Sequence, residues 1–144
     1  MRNLVIIVFV MFLFSNCIKI QQKESLKSIT GNWKLEGKQS KFNSSINMFS
    51  KVLLNSVEIS LKDNGLKGEI SGKLRPNKLY GKYELSGQNK LSVISLGGNA
   101  LEECNEMKEI REALYNASAY KCFENELFIY TQSEKEVLKF VRIN

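Results

Sequence analysis

The sequence predicts an α+β domain in which an antiparallel β-sheet is curled into a partly open barrel with one helix packed on it. Apolar and polar residues alternate over most of residues 29–143, which is the period of strands that bury one face. Turn-forming residues separate the alternating runs, and only residues 101–114 change to the three- and four-residue spacing of a helix. Because sheets of this kind commonly close, or nearly close, to protect their edges, the pattern favours a barrel.

The first strand is predicted over residues 29–36, where every second residue suits a core. The residues on this inward face are Ile29, Gly31, Trp33 and Leu35. Trp33 is the only tryptophan of the chain, and we expect it to fill one end of the core. Residues 37–50 are rich in Ser, Asn and Lys, and they predict a loop with a short helical turn that ends near Asn55.

A meander of antiparallel hairpins is predicted after this loop, and its strands are residues 57–62, 66–72, 79–85 and 91–95. The first turn is Asp63-Asn64-Gly65, in which Asn and Gly tolerate positive φ. The other two turns are residues 73–78, which hold the only proline, and residues 86–89. Three further strands are predicted after the helix, over residues 118–123, 126–131 and 137–143, with a turn at Glu124-Asn125.

The helix is predicted over residues 101–114, and its apolar face carries Leu101, Cys104, Met107, Ile110 and Leu114. Acidic residues cluster in its first half: Glu102, Glu103, Glu106 and Glu109. We interpret them as favouring the positive end of the helix dipole and pairing along the surface with Lys108 and Arg111, rather than as a catalytic set. Gly97-Gly98-Asn99 is too short for a phosphate-binding loop and predicts the turn that leads into the helix.

Residues 1–16 have the pattern of a secretory signal. Arg2 precedes an apolar run over residues 4–14, and the small polar pair Ser15-Asn16 leads to Cys17. This end resembles a bacterial lipoprotein processing site, although Leu13 lies four residues before the cysteine instead of three. The resemblance implies that Cys17 is lipidated, and two or three acyl chains anchor a protein stably. Cleavage elsewhere, as in an ordinary secreted protein, and an uncleaved N-terminal anchor are the alternatives.

The organisation that follows is a signal peptide at residues 1–16, a polar tether at residues 17–28 and one domain at residues 29–144. The tether is aperiodic, as expected of a segment that lifts a domain away from a membrane. Ile18 stands where a signal for retention in the inner membrane usually has Asp, which favours the outer membrane. We therefore expect a lipid-anchored protein of the cell envelope.

The charge pattern argues against a nucleic-acid partner. The chain has 21 Lys and Arg and 15 Asp and Glu, a formal net charge of +6. These charges alternate along the chain, as in Lys34 and Glu36 or Lys62 and Asp63, whereas nucleic-acid proteins usually present a basic stripe with interleaved aromatic residues. A solvated surface is the interpretation we prefer.

The sequence lacks the residues of the common catalytic sites. It contains no histidine, which excludes a histidine-based triad, a histidine-ligated metal site and an imidazole proton shuttle. The tyrosines suit a core or a barrel rim better than a catalytic role, and these are Tyr80, Tyr83, Tyr115, Tyr120 and Tyr130. We expect a protein that is not an enzyme, with no catalytic residues, no cofactor and no bound metal.

Two cysteines remain once Cys17 is assigned to the anchor. Cys104 and Cys122 lack the close spacing of a redox or zinc motif. In an oxidising compartment they are candidates for a disulfide, and the alternative is two buried thiols.

The order of elements and several local motifs resemble the META domain, the family of HslJ-like heat-inducible outer-membrane lipoproteins. Residues 31–35 resemble its G-x-W-x-L opening, and residues 76–83 resemble its C-N-x-x-x-G-x-Y motif, with Asn77, Gly81 and Tyr83 in register. The resemblance covers nearly all of residues 29–143. It implies that Trp33, Asn77, Gly81 and Tyr83 are structural, with Asn77 and Gly81 serving a tight loop.

One departure from the family concerns its disulfide. Pro76 replaces the first cysteine of the motif, so the usual pairing with the cysteine before the helix cannot form. The resemblance then implies that Cys122 takes this place as the partner of Cys104, joining the start of the helix to the next strand.

Two functions remain as expectations. The first is a non-enzymatic interaction or stress-support module of the envelope, as the family resemblance implies, with an unidentified envelope protein as partner and the membrane contacted through the lipid. An exposed patch of Phe42, Met48, Phe49, Val52 and Leu53 would favour it. The second is a lipocalin-like carrier of a small apolar ligand, which requires a cavity of at least ~300 Å³. The predicted inward side chains are mostly large and favour a filled interior: Trp33, Ile59, Leu61, Leu85, Val93, Leu127, Ile129 and Phe140.

Overall fold

The computed structural model of the chain describes residues 28–40, 43–47, 56–87, 89–99, 101–132 and 136–144. Its strands are β1 (Gly31–Ser40), β2 (Asn43–Asn47), β3 (Val57–Asp63), β4 (Lys67–Leu74), β5 (Asn77–Ser86), β6 (Lys90–Gly98), β7 (Ala117–Cys122), β8 (Glu126–Thr131) and β9 (Glu136–Ile143). One helix, α1 (Asn105–Tyr115), connects β6 to β7. No helix in these ranges combines the length and the apolarity needed to cross a membrane.

The sheet closes into an antiparallel barrel of eight strands. Neighbours in sequence pair in the order β3 to β9, and β1 joins the two edges by pairing with β3 and with β9. The pairing between β1 and β9 runs from Asn32 opposite Ile143 to Ser40 opposite Glu136. Within the described ranges, β2 pairs with the end of β1 and with no other strand. The predicted antiparallel barrel with one helix is therefore confirmed, while the partly open form is not.

The seam between β6 and β7 is the shortest part of the ring. A single register pair, Lys90 opposite Ala119, joins these strands, and the Tyr120 amide donates to the Asn89 carbonyl oxygen at 2.9 Å. Helix α1 packs against β6 and β8 beside this seam. Its buried residues are Met107, Ile110, Ala113 and Leu114, so its apolar face completes the core where strand pairing is short.

The two ends of the barrel differ. One end carries the start of β1 and the β3–β4, β5–β6 and β7–β8 turns, and we call it the turn end. The other carries α1, with the ends of β4, β6 and β8, and we call it the helix end. An ion pair from Lys38 of β1 to Glu109 of α1, at 3.2 Å, ties the helix across this end.

The core follows the predicted alternation. The largest fully buried side chains are Trp33, Tyr83, Tyr120 and Phe140. The predicted inward residues of the strands are buried except Gly31 and Val93, which are half-buried, and Val93 packs against the core. The period of two therefore identified the inward face of each strand correctly.

The structure differs from the predicted boundaries in several places. Most of residues 73–78, predicted as a turn, belong to β4 and β5, which end at Leu74 and begin at Asn77. Residues 37–40 continue β1, and residues 43–47 form β2, where a loop with a helical turn was expected. Gly97 and Gly98 belong to β6, because Tyr80 and Leu79 of β5 extend far enough to pair with them. The helix begins at Asn105 instead of residue 101. In each case pairing with a distant strand, or a contact from one, decided the local structure.

Candidate functional site

Side chains of the described residues pack closely in the interior of the barrel. The apolar space between Ile29, Leu61, Tyr83, Leu114 and Ile129 has a volume of about 10 Å³. This is room for one water molecule at most, whereas pockets for small molecules commonly measure about 300–1,000 Å³. An apolar ligand would have to displace core side chains in order to enter this space.

Asp63 organises the turn end. Its carboxylate accepts hydrogen bonds from the hydroxyls of Thr30 and Tyr83, both at 3.1 Å, and of Ser28 at 3.2 Å. The Gly65 amide donates to the other carboxylate oxygen at 2.9 Å, and Gly65 has a φ of 87°. The predicted turn at Asp63-Asn64-Gly65 is thus confirmed, and Asp63 also ties it to the start of β1.

Tyr83 is held in its neutral form by this arrangement. Its ring lies in the core against Gly68 of β4, where a Cβ would collide with it. Burial, and then the nearby Asp63 carboxylate, raise the pKa of the Tyr83 hydroxyl far above its ordinary value. The same two causes raise the pKa of Tyr120. Both hydroxyls are therefore neutral at neutral pH.

Asn77 joins β5 to the segment that leads into α1. This side chain is 2% exposed. Its amide nitrogen donates to the Leu101 carbonyl oxygen at 2.9 Å and to the Glu103 carboxylate at 2.7 Å, and its oxygen accepts from the Leu101 amide at 3.1 Å. Glu103 also forms an ion pair with Arg111 of α1. Asn77 is thus a structural brace between two elements rather than a residue of its own turn.

The acidic residues of the helix have different roles. Glu103 is almost buried and structural, with 8% of its side chain exposed. Glu106 lies in the first turn, where its own backbone amide, and then Cys104, lower its pKa. Glu109 pairs with Lys38. Within the described ranges, no group of three or more carboxylate or thiol side chains is arranged to hold a metal ion.

A polar groove of about 450 Å³ lies at the helix end, between α1 and the ends of β1, β8 and β9. Its polar lining comprises Lys38, Glu109, Glu112, Asn116, Gln132 and Glu136. Lys38 pairs with Glu136 at 2.8 Å as well as with Glu109. Burial alone would lower the pKa of Lys38, but its bonds to the two glutamates raise it. Among the described residues of its lining, the groove therefore presents one cation, Lys38, beside several carboxylates and amides.

The predicted disulfide is absent from the described part of the chain. Cys104 is exposed and immediately precedes α1. Cys122 ends β7 at the turn end, and its thiol donates to the Phe123 carbonyl oxygen at 3.4 Å. Because the two residues belong to opposite ends of the barrel, the pairing implied by the family resemblance is not formed.

Several predicted features lie outside the described residues. These are the signal at residues 1–16, the lipidation site Cys17, the tether up to residue 27 and the expected patch of Phe42, Met48, Phe49, Val52 and Leu53. Other predicted site residues are placed clearly, since Trp33 and Tyr83 are buried. Gly81 was expected to serve a tight loop, but it lies in the middle of β5, where it pairs with Ile70 of β4 and Leu96 of β6.

Sequence reasoning missed three structural side chains: Asp63 as a link to β1, Glu103 as a partner of Asn77, and Arg142. The Arg142 side chain lies over Trp33 and donates to the carbonyl oxygens of Thr30 and Glu124. One signal was available, since Arg142 occupies an inward position of an alternating strand, where an arginine needs partners.

Comparison with known proteins identifies the fold only. No protein-family model matches the chain, and no curated protein matches its sequence. A DUF4847 family protein from Bacteroides vulgatus ATCC 8482 is similar in structure, with a TM-score of 0.63, 16% identity, and coverage of 78% of this chain and 92% of that chain. A protein from Burkholderia xenovorans has a TM-score of 0.58, 18% identity, and coverage of 79% and 82%. The resemblance to the META domain stays a prediction.

Proposed function

We propose that this chain is a lipid-anchored protein of the bacterial cell envelope, held in the outer membrane through Cys17, whose barrel is a non-enzymatic interaction module. The proposal that the barrel is an interaction module rests on the difference in volume between the apolar space inside the barrel and the groove at the helix end. Among the described residues, the apolar space inside the barrel between Ile29, Tyr83 and Ile129 measures about 10 Å³, while the groove at the helix end measures about 450 Å³. We therefore expect a partner to bind at the outer surface of the barrel and not in its interior.

The groove indicates the chemistry of the partner. The glutamates Glu109 and Glu136 share Lys38, while Glu112 also lines the groove and is exposed. A segment carrying a lysine or arginine and several hydrogen-bond donors fits such a lining, because carboxylates accept charge-assisted hydrogen bonds. We propose a basic segment of another envelope protein as the occupant.

The interaction is tested by crosslinking in cells. A photoreactive residue at Gln132, in the groove, is expected to form a specific adduct, whereas the same residue at the exposed Lys73 of β4 forms none. Charge reversal by Glu112→Lys should remove the adduct from the Gln132 site. Adducts of equal yield at both positions, or one that is insensitive to Glu112→Lys, would reject the groove as the binding surface.

The anchor is tested separately by Cys17→Ser in the full chain. We expect the wild-type chain, which carries Cys17, to remain with the membranes after a carbonate wash. The Cys17→Ser variant should be released, because only the cysteine thiol accepts the lipid. Retention of the variant would indicate an uncleaved apolar anchor instead.

A second candidate, a carrier of a small apolar ligand, is favoured by one observation, the closed up-and-down barrel, which lipocalins also use. Native mass spectrometry of the Cys17→Ser chain separates the two functions. We expect the bare polypeptide mass, since the interior is filled. A stoichiometric extra mass that is lost on denaturation would favour the carrier.

A further inference from the structure

Two large apolar side chains are exposed at the turn end of the barrel. Leu66, in the β3–β4 turn, is 61% exposed, and Phe123, in the β7–β8 turn, is 56% exposed. Four strands of the eight-stranded ring separate these turns in either direction. The two side chains therefore lie on opposite sides of the same end, as two apolar tips.

The chain also enters the barrel at this end. The hydroxyls of Ser28 and Thr30 both donate to Asp63, which begins the β3–β4 turn. Cys17 lies eleven positions before Ser28, a distance of about 40 Å at most when the chain is fully extended. A lipid on Cys17 would therefore keep the turn end close to the bilayer, at the high effective concentration that a short linker creates.

The charges at this end suit a surface of lipid phosphates. Exposed lysines stand beside all three turns: Lys62 and Lys67 at the β3–β4 turn, Lys90 at the β5–β6 turn and Lys121 at the β7–β8 turn. Lys67 forms an ion pair with Glu84 at 3.2 Å. The exposed carboxylate of Glu124 reduces the positive charge of this end, while the carboxylate of Asp63 accepts hydrogen bonds from the hydroxyls of Thr30 and Tyr83. The electrostatic attraction between the turn end and the lipid phosphates is therefore small. Insertion of the two apolar tips contributes the larger part of the free energy of membrane binding.

We propose that the turn end of the barrel docks on the lipid bilayer that anchors the chain, with Leu66 and Phe123 inserted at the boundary between headgroups and acyl chains. Apolar side chains of proteins that bind at the membrane interface typically insert to this boundary. Lys62, Lys90 and Lys121 reach the lipid phosphates, as long basic side chains do at membrane interfaces. This inference rests on the proposed lipid anchoring at Cys17. It also orients the molecule, because the helix end and its groove then face away from the membrane and towards a partner.

The test places tryptophan at defined points of the full lipidated chain, reconstituted in phosphatidylethanolamine–phosphatidylglycerol vesicles that contain phosphatidylcholine brominated near the headgroup end of its acyl chains. Leu66→Trp and Phe123→Trp report on the tips. Tyr115→Trp, at the end of α1, is the matched control, since Tyr115 is 53% exposed at the other end. Trp33 is fully buried and contributes the same background to every variant.

We expect bromine to quench about half or more of the fluorescence of the tryptophan introduced at position 66 or 123, because interfacial insertion brings the indole close to the brominated carbons. The fluorescence of the tryptophan introduced at position 115 should not change. Equal quenching at all three positions, or none at either tip, would overturn the end-on orientation. Quenching at only one tip would also overturn it, because both tips must insert. Flotation of the same vesicles separates the two proposals: a chain that does not float overturns the anchor and the docking together, whereas a chain that floats without quenching overturns the docking alone.

Discussion

Arg142 of β9 lies over the indole ring of Trp33 of β1, with its guanidinium carbon 4.2 Å from the ring centroid. The same guanidinium donates to the carbonyl oxygens of Thr30 at 3.1 Å and Glu124 at 2.8 Å. The Trp33 indole N–H donates to the Ile29 carbonyl oxygen at 3.0 Å. Gly31 permits the stack, because a Cβ there would collide with the guanidinium. One arginine thus holds the first strand, the last strand and the β7–β8 turn together.

Replacing this arginine is expected to loosen the closure of the barrel. Arg142→Ala removes a cation–π contact and two charged hydrogen bonds, and we expect it to lower the free energy of unfolding by about 2–4 kcal/mol. Arg142→Lys should recover part of this loss, since it restores the charge but not the planar fork. Urea unfolding followed by Trp33 fluorescence measures both, with Lys108→Ala as an exposed control. A loss for Arg142→Ala no larger than that of the control would contradict the closure role.

Gly81 allows β5 and β6 to approach closely. A Cβ at this position would collide with the backbone carbonyl oxygen of Ser95. We expect Gly81→Ala to lower the free energy of unfolding by about 1–3 kcal/mol, because the backbone must shift to accommodate the methyl group. Gly87→Ala is the matched control, since nothing lies within 4 Å of its Cβ position. Equal denaturation midpoints for the two variants would show that the β5–β6 spacing adapts freely.

Asn77 is expected to order the segment before the helix. Asn77→Ala leaves the polar groups of Leu101 without their partner and should cost about 1–3 kcal/mol. Amide hydrogen exchange should also accelerate at Leu101 and in the first turn of α1. The matched control is Asn105→Ala, at the exposed first residue of the helix. Unchanged exchange at Leu101 in the Asn77 variant would mean that other contacts hold this segment.

The protein is expected to lose stability at alkaline pH through Tyr83. Its pKa is raised in the folded state by burial and by Asp63, so the neutral hydroxyl favours folding. This contribution is fully present below the unfolded pKa of about 10 and is lost as the pH rises above that value. Tyr83→Phe should flatten this part of the decline, whereas Tyr115→Phe should not. Urea midpoints measured across neutral to alkaline pH provide the test, and parallel curves for the wild type and Tyr83→Phe would refute the assignment.

Much of the fold was predictable because it depends on local periodicity. Alternation in residues 57–62 and 126–131 places successive side chains on opposite faces of a strand, and the inward residues it indicates, such as Ile59 and Ile129, are buried. The helix was identified for the same reason, since the spacing of Met107, Ile110 and Leu114 suits one helical face. These features need no knowledge of the neighbouring strand.

The candidate site was less predictable. Asn77 was expected to shape its own turn, yet its partners lie 24 and 26 positions further along the chain. The expected pairing of Cys104 with Cys122 had no support from periodicity, because a disulfide depends on the distance between two elements. The groove combines residues of four elements, and no run of sequence brings Lys38, Glu112 and Gln132 together.

The sequence by itself determined the helix, most of the strands and the side of each predicted strand that faces the core, because these properties follow from the spacing of apolar residues along a few turns or pleats. Only the tertiary structure decided that β1 closes on β9, that the interior is filled, and that Arg142 reaches the carbonyl oxygen of Thr30, 112 positions away. The physical reason is that closure, cavity volume and long-range hydrogen bonds depend on how the whole sheet twists and on the register in which its strands pair.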